Sequence, residues 1–170
     1  MNELARILLR PERRLIGTRR EYLEAFDSLV LGLRRELRVF DPDCAQLELN
    51  APGRIAALRT FLLASRDNWL LIAVHDPEHL RKHTPRFLEL LAQFSASISI
   101  HQTEGEALRA QDCFVLADID HFVRRPVAAA PRGVYAINEF QEARLVRERF
   151  DEIWQSSAPA VSATLLGLSG

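Results

Sequence analysis

At 170 residues, with 48% hydrophobic and 26% charged residues, the chain has the size and composition of one globular domain, which excludes a disordered or fibrous protein. Its net charge of −1 conceals nine arginines against six acids in residues 1–38; because Glu3, Glu12, Glu21, Glu24 and Glu36 alternate with them, they read as a solvated helix face rather than a phosphate-binding arm. No apolar run approaches the ~20 residues of a membrane span, and Arg6, Arg10, Arg13 and Arg14 break the N-terminus where a signal peptide needs an apolar core, so a cytoplasmic protein is expected. The chain opens with a short helical candidate, Glu3 to Leu9, and a polar, arginine-rich connection. Thr18 and Glu21 have capping-box spacing and start a helix whose Tyr22, Phe26, Leu29, Val30 and Leu33 share one face.

Leu37 to Phe40 reads as the first core strand, stopped by Asp41-Pro42, and Gln46 to Leu49 as a short second one. Asn50 and Pro52 open a helix carrying Ile55, Leu58, Phe61 and Leu62 on its packed face. Trp69 to Val74 is a continuous apolar run too short for a typical helix, expected as the middle strand of the sheet and covered on both faces. Asp76-Pro77 and Thr84-Pro85 are successive cap-plus-proline starts, which predict a helical region broken in two. Ser97 to His101, Cys113 to Ala117, Phe122 to Val127 and Gly133 to Ile137 read as further strands. Asn138 and Gln141 have capping spacing before a long helix that turns Phe140, Ala143, Val146, Phe150, Ile153 and Trp154 inward. The tail from Ala158 reads as irregular. Alternating helices and strands followed by several close strands predict an α/β fold, a mixed central β-sheet flanked by helices on both faces.

The stretch Gln111-Asp112-Cys113-Phe114-Val115-Leu116-Ala117-Asp118 resembles the His-x-Lys-x-x-x-x-Asp strand motif of the phospholipase D superfamily, and Phe150-Asp151-Glu152-Ile153-Trp154 resembles the Phe-x-x-x-Trp close of its halves. The resemblance runs from Leu37 to Leu168. It implies an N-terminal helical extension, residues 1–36, packed on a phospholipase D-like α/β domain, residues 37–170. In that superfamily the histidine attacks phosphorus and the lysine holds phosphate oxygens. Here Gln111 stands at the histidine place and Cys113 at the lysine place, leaving only Asp118. An amide is neither nucleophile nor base at neutral pH, and a thiol carries no fixed positive charge. Within the superfamily the chain looks most like an uncharacterised bacterial domain found alone or attached to acetyltransferases. The resemblance thus implies a non-catalytic module with a binding or regulatory role, an acetyltransferase as a possible partner, and a homodimer, since single-motif halves commonly pair.

Other chemistry is sparse. Cys44 and Cys113 are far apart in sequence and outside any metal-ligand pair, so neither a zinc site nor a disulfide is expected. His75, His79 and His83 are spaced by fours, but without an obvious third ligand they read as surface or capping residues, and no metal or other cofactor is expected. His75 and His101 fall near C-terminal strand ends, where open α/β sheets place ligand crevices. With Arg86, Asp118, Arg124 and Arg125 they make the candidate ligand-binding set for an anionic ligand or nucleic acid. The competing reading pairs these arginines with local carboxylates. An alternative function is a phosphodiester- or nucleic-acid-processing enzyme of altered mechanism in which His75 or His101 replaces the lost nucleophile, which requires one of them to face Asp118 across a cleft. Tyr22, Phe26, Val30 and Leu33 are the expected dimer face, against the reading that their helix covers its own sheet.

Overall fold

The structure is a computed structural model and describes residues 10–163; the helical candidate Glu3 to Leu9 lies outside them. In chain order the strands are β1 (Glu12–Ile16), β2 (Glu36–Asp41), β3 (Trp69–Val74), β4 (Ile98–Thr103), β5 (Cys113–Ala117), β6 (His121–Arg125), β7 (Gly133–Ile137) and β8 (Ser157–Val161). The helices are α1 (Arg19–Leu31), α2 (Pro52–Ala64), α3 (Glu78–His83), α4 (Pro85–Gln93) and α5 (Phe140–Gln155). The eight strands form one mixed sheet in the order β1-β7-β6-β5-β2-β3-β4-β8. β2, β3 and β4 are parallel neighbours, and the other pairs are antiparallel.

Strand alternation divides the core in two. Leu37, Val39, Leu70, Ile72, Ile98, Ile100, Cys113 and Val115 pack with the apolar sides of α1, α2, α3 and α4. Phe40, Phe114, Leu116 and Phe122 pack on the other face under α5, through Ala143, Val146, Phe150 and Ile153. Among the described residues, one face is therefore covered by four helices and the other by one.

Local chemistry explains the elements. Thr18 Oγ1 accepts the Glu21 N–H at 3.0 Å and the Glu21 carboxylate accepts the Gly17 N–H at 3.3 Å, an N-terminal cap of capping-box type. Tyr22 and Phe26 are each 1% exposed, so this face of α1 covers the chain's own sheet; Val30 is also buried and Leu33 packs against the same core. Thr84-Pro85 breaks α3 from α4 as expected, although Thr84 caps nothing and its hydroxyl donates back to Leu80 O at 2.6 Å.

Five local expectations are corrected. The arginine-rich connection contains β1, paired with β7. The expected strand Gln46 to Leu49 is a 3-10 turn, Ala45–Leu47, flanked by left-handed residues Cys44 and Glu48 and held by the Asp41 and Asp43 carboxylates, which accept the N–H groups of Asp43, Cys44 and Ala45. Asn138 takes a left-handed φ of 56° and does not cap α5. The tail is ordered into β8, which pairs with β4. The central strands are β5 and β2, with β3 one place away, and Trp69 at the start of β3 is 48% exposed rather than covered.

Candidate functional site

The antiparallel register of β5 against β2, Phe40 opposite Phe114 and Leu37 opposite Ala117, sets the geometry of the degenerate motif. The start of β5 lies at the C-terminal ends of β2 and β3, and its far end beside Glu36. At ~3.3 Å per residue, Cys113 and Asp118 sit about 17 Å apart, at the two ends of the central strand β5 and so at opposite strand-end edges of the sheet.

At the first edge, Cys113 is fully buried on the side of the four helices, opposite Arg125 in the ladder. The Tyr22 hydroxyl lies beside its thiol, and burial raises both the Tyr22 and Cys113 pKa values, the former well above its ordinary range. Burial likewise pushes the Cys44 thiol well up. Both thiols are thereby held neutral and unreactive. The Arg125 guanidinium stacks over the Tyr22 ring at 4.6 Å and donates to Gln46 Oε1 at 2.7 Å and to the Ala128 carbonyl. Asp41, 3% exposed, has its carboxyl raised by burial although it accepts the Cys44 N–H at 2.7 Å and the Asp43 N–H at 3.1 Å. Cys113 is thus enclosed in a packed, internally bonded cluster. Gln111 is exposed, and its carbonyl accepts the Ala128 N–H at 2.7 Å.

On the opposite face Asp112, 3% exposed, accepts from Arg149 Nε at 2.7 Å and Arg149 Nη2 at 2.6 Å, and from Arg124 Nη2 at 3.1 Å. Burial opposes ionisation, but these two guanidiniums overcome it and hold the carboxyl below its ordinary range. Beside this cluster, between the 3-10 turn Gly105–Arg109 and the end of α5, lies an open cleft of about 320 Å³ lined by Glu106, Arg109, Arg149 and Glu152 over Ala107, Ala110 and Ile153. Sequence reading missed Asp112 and Arg149: they stand 37 residues apart, and only the packing of α5 on β5 joins them.

Asp118 serves the fold. Its Oδ1 accepts the N–H groups of Arg35 at 2.7 Å and Glu36 at 3.2 Å, its Oδ2 that of Arg34 at 3.1 Å, and its own N–H donates to Glu36 O at 2.8 Å. One carboxylate at a left-handed φ of 55° therefore pins the entry to β2 onto the end of β5.

The expected ligand-binding set is dispersed. His75 and His101 do sit toward the first edge, but both ring nitrogens of His75 are engaged, Nδ1 with Thr103 Oγ1 at 2.5 Å and Nε2 with Ala110 O at 2.8 Å. His101 stacks on Trp154 with ring centres 3.6 Å apart, and its Nδ1 meets Ser157 Oγ at 2.8 Å; burial lowers its pKa. Arg86 is exposed at the start of α4, where its N–H donates to Asn50 Oδ1 at 2.8 Å. Arg124 and Arg125 point to opposite faces, and Asp118 lies across the sheet. Among the described residues neither His75 nor His101 faces Asp118 across a shared cleft, the arrangement that the altered mechanism requires.

The eight-stranded mixed sheet between unequal helical layers is a phospholipase D-like fold. Nuc from Salmonella typhimurium, a phospholipase D family member, superposes with a TM-score of 0.62 at 13% identity, over 90% of this chain and 100% of that one. NucT from Helicobacter pylori gives 0.61 at 11%, over 89% and 100%. TrmBL2, an archaeal chromatin protein, gives 0.62 at 11%, over 87% of this chain and 54% of that one, so the chain spans about half of that relative's length. The chain belongs to the family described as "Domain of unknown function (DUF7931)", whose model matches residues 18–165. No curated protein is matched by the sequence. Among the described residues, no helix is long and apolar enough to cross a membrane.

Proposed function

We propose that the chain is a non-catalytic phospholipase D-like module with a binding or regulatory role, working with an acetyltransferase. The observation that carries the non-catalytic reading is Cys113, which stands at the lysine place as a neutral thiol sealed beneath Tyr22 and Arg125, next to an amide at the nucleophile place. The cations that would meet a phosphoryl group are already engaged, Arg124 and Arg149 by Asp112 and Arg125 by Gln46. The acetyltransferase rests on the sequence resemblance. A binding role is consistent with the appearance of this fold in a chromatin protein described for its mode of DNA binding.

The test is turnover of a generic phosphodiester, bis(p-nitrophenyl) phosphate, by the purified chain. The expected result is a rate equal to that of the buffer. Turnover that disappears in Gln111→Ala and survives replacement of His75 and His101 overturns the reading. Pairing of two copies, which the single motif suggests, is tested by sedimentation equilibrium; because α1 is buried, Phe26→Glu is expected to unfold the chain rather than dissociate a dimer.

A further inference from the structure

We infer that His79 and His83 form a two-nitrogen binding site for a transition-metal dication of the zinc, nickel or copper class. Three of the five histidines are tied into the fold: His75 between Thr103 and Ala110, His101 between Ser157 and Trp154, and His121 through Nδ1, which accepts the Asn138 N–H at 3.0 Å. His79 and His83 are different. Neither ring has a hydrogen-bond or ion-pair partner among the described residues, and their one ring contact there is with each other, ring centres 5.2 Å apart and planes inclined by 40°.

That spacing fits a shared metal. An imidazole bound at the usual metal–nitrogen length of about 2.0–2.1 Å has its ring centre roughly 3 Å from the ion, so two imidazoles at a tetrahedral angle have centres roughly 5 Å apart. The separation of four residues on one helix keeps the rings on the same side of α3. Both line a cleft between α3 and the loop before α2, with Glu48 and Asn50 on its far wall. Glu78, on the same helix, is occupied by Arg81 at 2.6 Å and Lys82 at 3.2 Å, which leaves the imidazoles as the free ligands of α3. Among the described residues no group of three or more His, Cys, Asp or Glu is placed to hold a metal, so the remaining coordination positions belong to water. Imidazole nitrogen selects borderline metals over calcium or magnesium. The site lies in the four-helix layer, on the other face of the sheet from the Asp112–Arg149 cluster, and does not depend on how the degenerate motif is read.

Isothermal titration of NiCl2 and of ZnCl2 into the full, tag-free, EDTA-treated chain tests it. One ion per chain is expected, with micromolar affinity that falls by about tenfold or more in His79→Ala and in His83→Ala and is unchanged in Lys82→Ala. Cu2+ bound to the full chain should show an electron paramagnetic resonance spectrum split by two nitrogens. No uptake of either metal below millimolar concentration overturns the inference, as does undiminished binding by the His79→Ala/His83→Ala double variant. On this short helix His83 is exposed and His79 half-buried, and urea denaturation of the variants separates lost ligation from lost fold.

Discussion

Removing the Asp118 carboxylate should be among the costliest single changes outside the apolar core. It accepts three consecutive backbone N–H groups, from Arg34, Arg35 and Glu36, while only 6% exposed. A hydrogen bond to a charged group contributes about 1.5–3 kcal/mol net, but three sharing one carboxylate at the sheet margin are not additive, and about 3–4 kcal/mol is the reasonable sum. Alanine at a φ of 55° adds about 1 kcal/mol, because the left-handed region tolerates aspartate and asparagine better. Asp118→Ala is therefore expected to lose about 4–5 kcal/mol, and Asp118→Asn, which keeps one oxygen acceptor and the backbone preference, about 1–2 kcal/mol. Urea denaturation followed by far-UV circular dichroism measures both. A loss below about 1 kcal/mol for alanine, or equal losses for the two variants, refutes the anchoring role.

Gly133→Ala should destabilise severely, since its new Cβ would stand 2.3 Å from the Arg124 carbonyl oxygen in the neighbouring strand; a melting temperature within a few degrees of the parent would show that β6 and β7 separate freely. Trp154→Ala should cost about 2 kcal/mol, less than a fully buried tryptophan, because its ring is only partly buried although stacked on His101 and Phe150; chemical denaturation giving above about 4 kcal/mol would show hidden core packing. His101 makes stability depend on pH: its folded pKa lies below 6.5 through burial, so the unfolded chain binds the proton more readily. That contribution is complete above pH ~6.5 and is lost as pH falls through the folded value. His101→Phe should flatten this part of the profile of unfolding free energy, and parallel profiles for the two proteins would remove His101 as the cause.

The parts of the fold that were legible in the sequence are those where side chains and backbone ask for the same thing. Thr18 and Glu21 make the cap their spacing predicts, Leu70, Ile72 and Val74 are buried as their run requires, and Pro85 divides α3 from α4. Where backbone pairing alone decides, the sequence is silent. β1 exposes all but Ile16 of its five residues and exists because its peptide groups find β7; β8 includes Pro159 and reads as a loop until β4 lies beside it. The turn at Cys44 and Glu48 defeats a propensity argument because the Asp41 and Asp43 carboxylates bind the backbone into it. The chemistry of Gln111 and Cys113, an amide and a thiol, could be read directly. What surrounds them could not, since the Tyr22–Arg125 stack and the Asp112–Arg149 pair join distant segments, and adjacent Arg124 and Arg125 diverge only because a strand sends neighbours to opposite faces.

The pairing of β8 with β4 carries a consequence for any shortened form of the chain. With Ser157–Val161 in place, β4 is an interior strand. A chain cut after Gln155 would keep all five helices and most of its core, yet would leave Ile98–Thr103 with a row of free peptide groups flanked by Ile98 and Ile100, the kind of border that recruits strands from other molecules. Such a fragment should fold and then precipitate. β8 would thus act as a seal against strand addition at β4, a duty separate from anything done around Cys113.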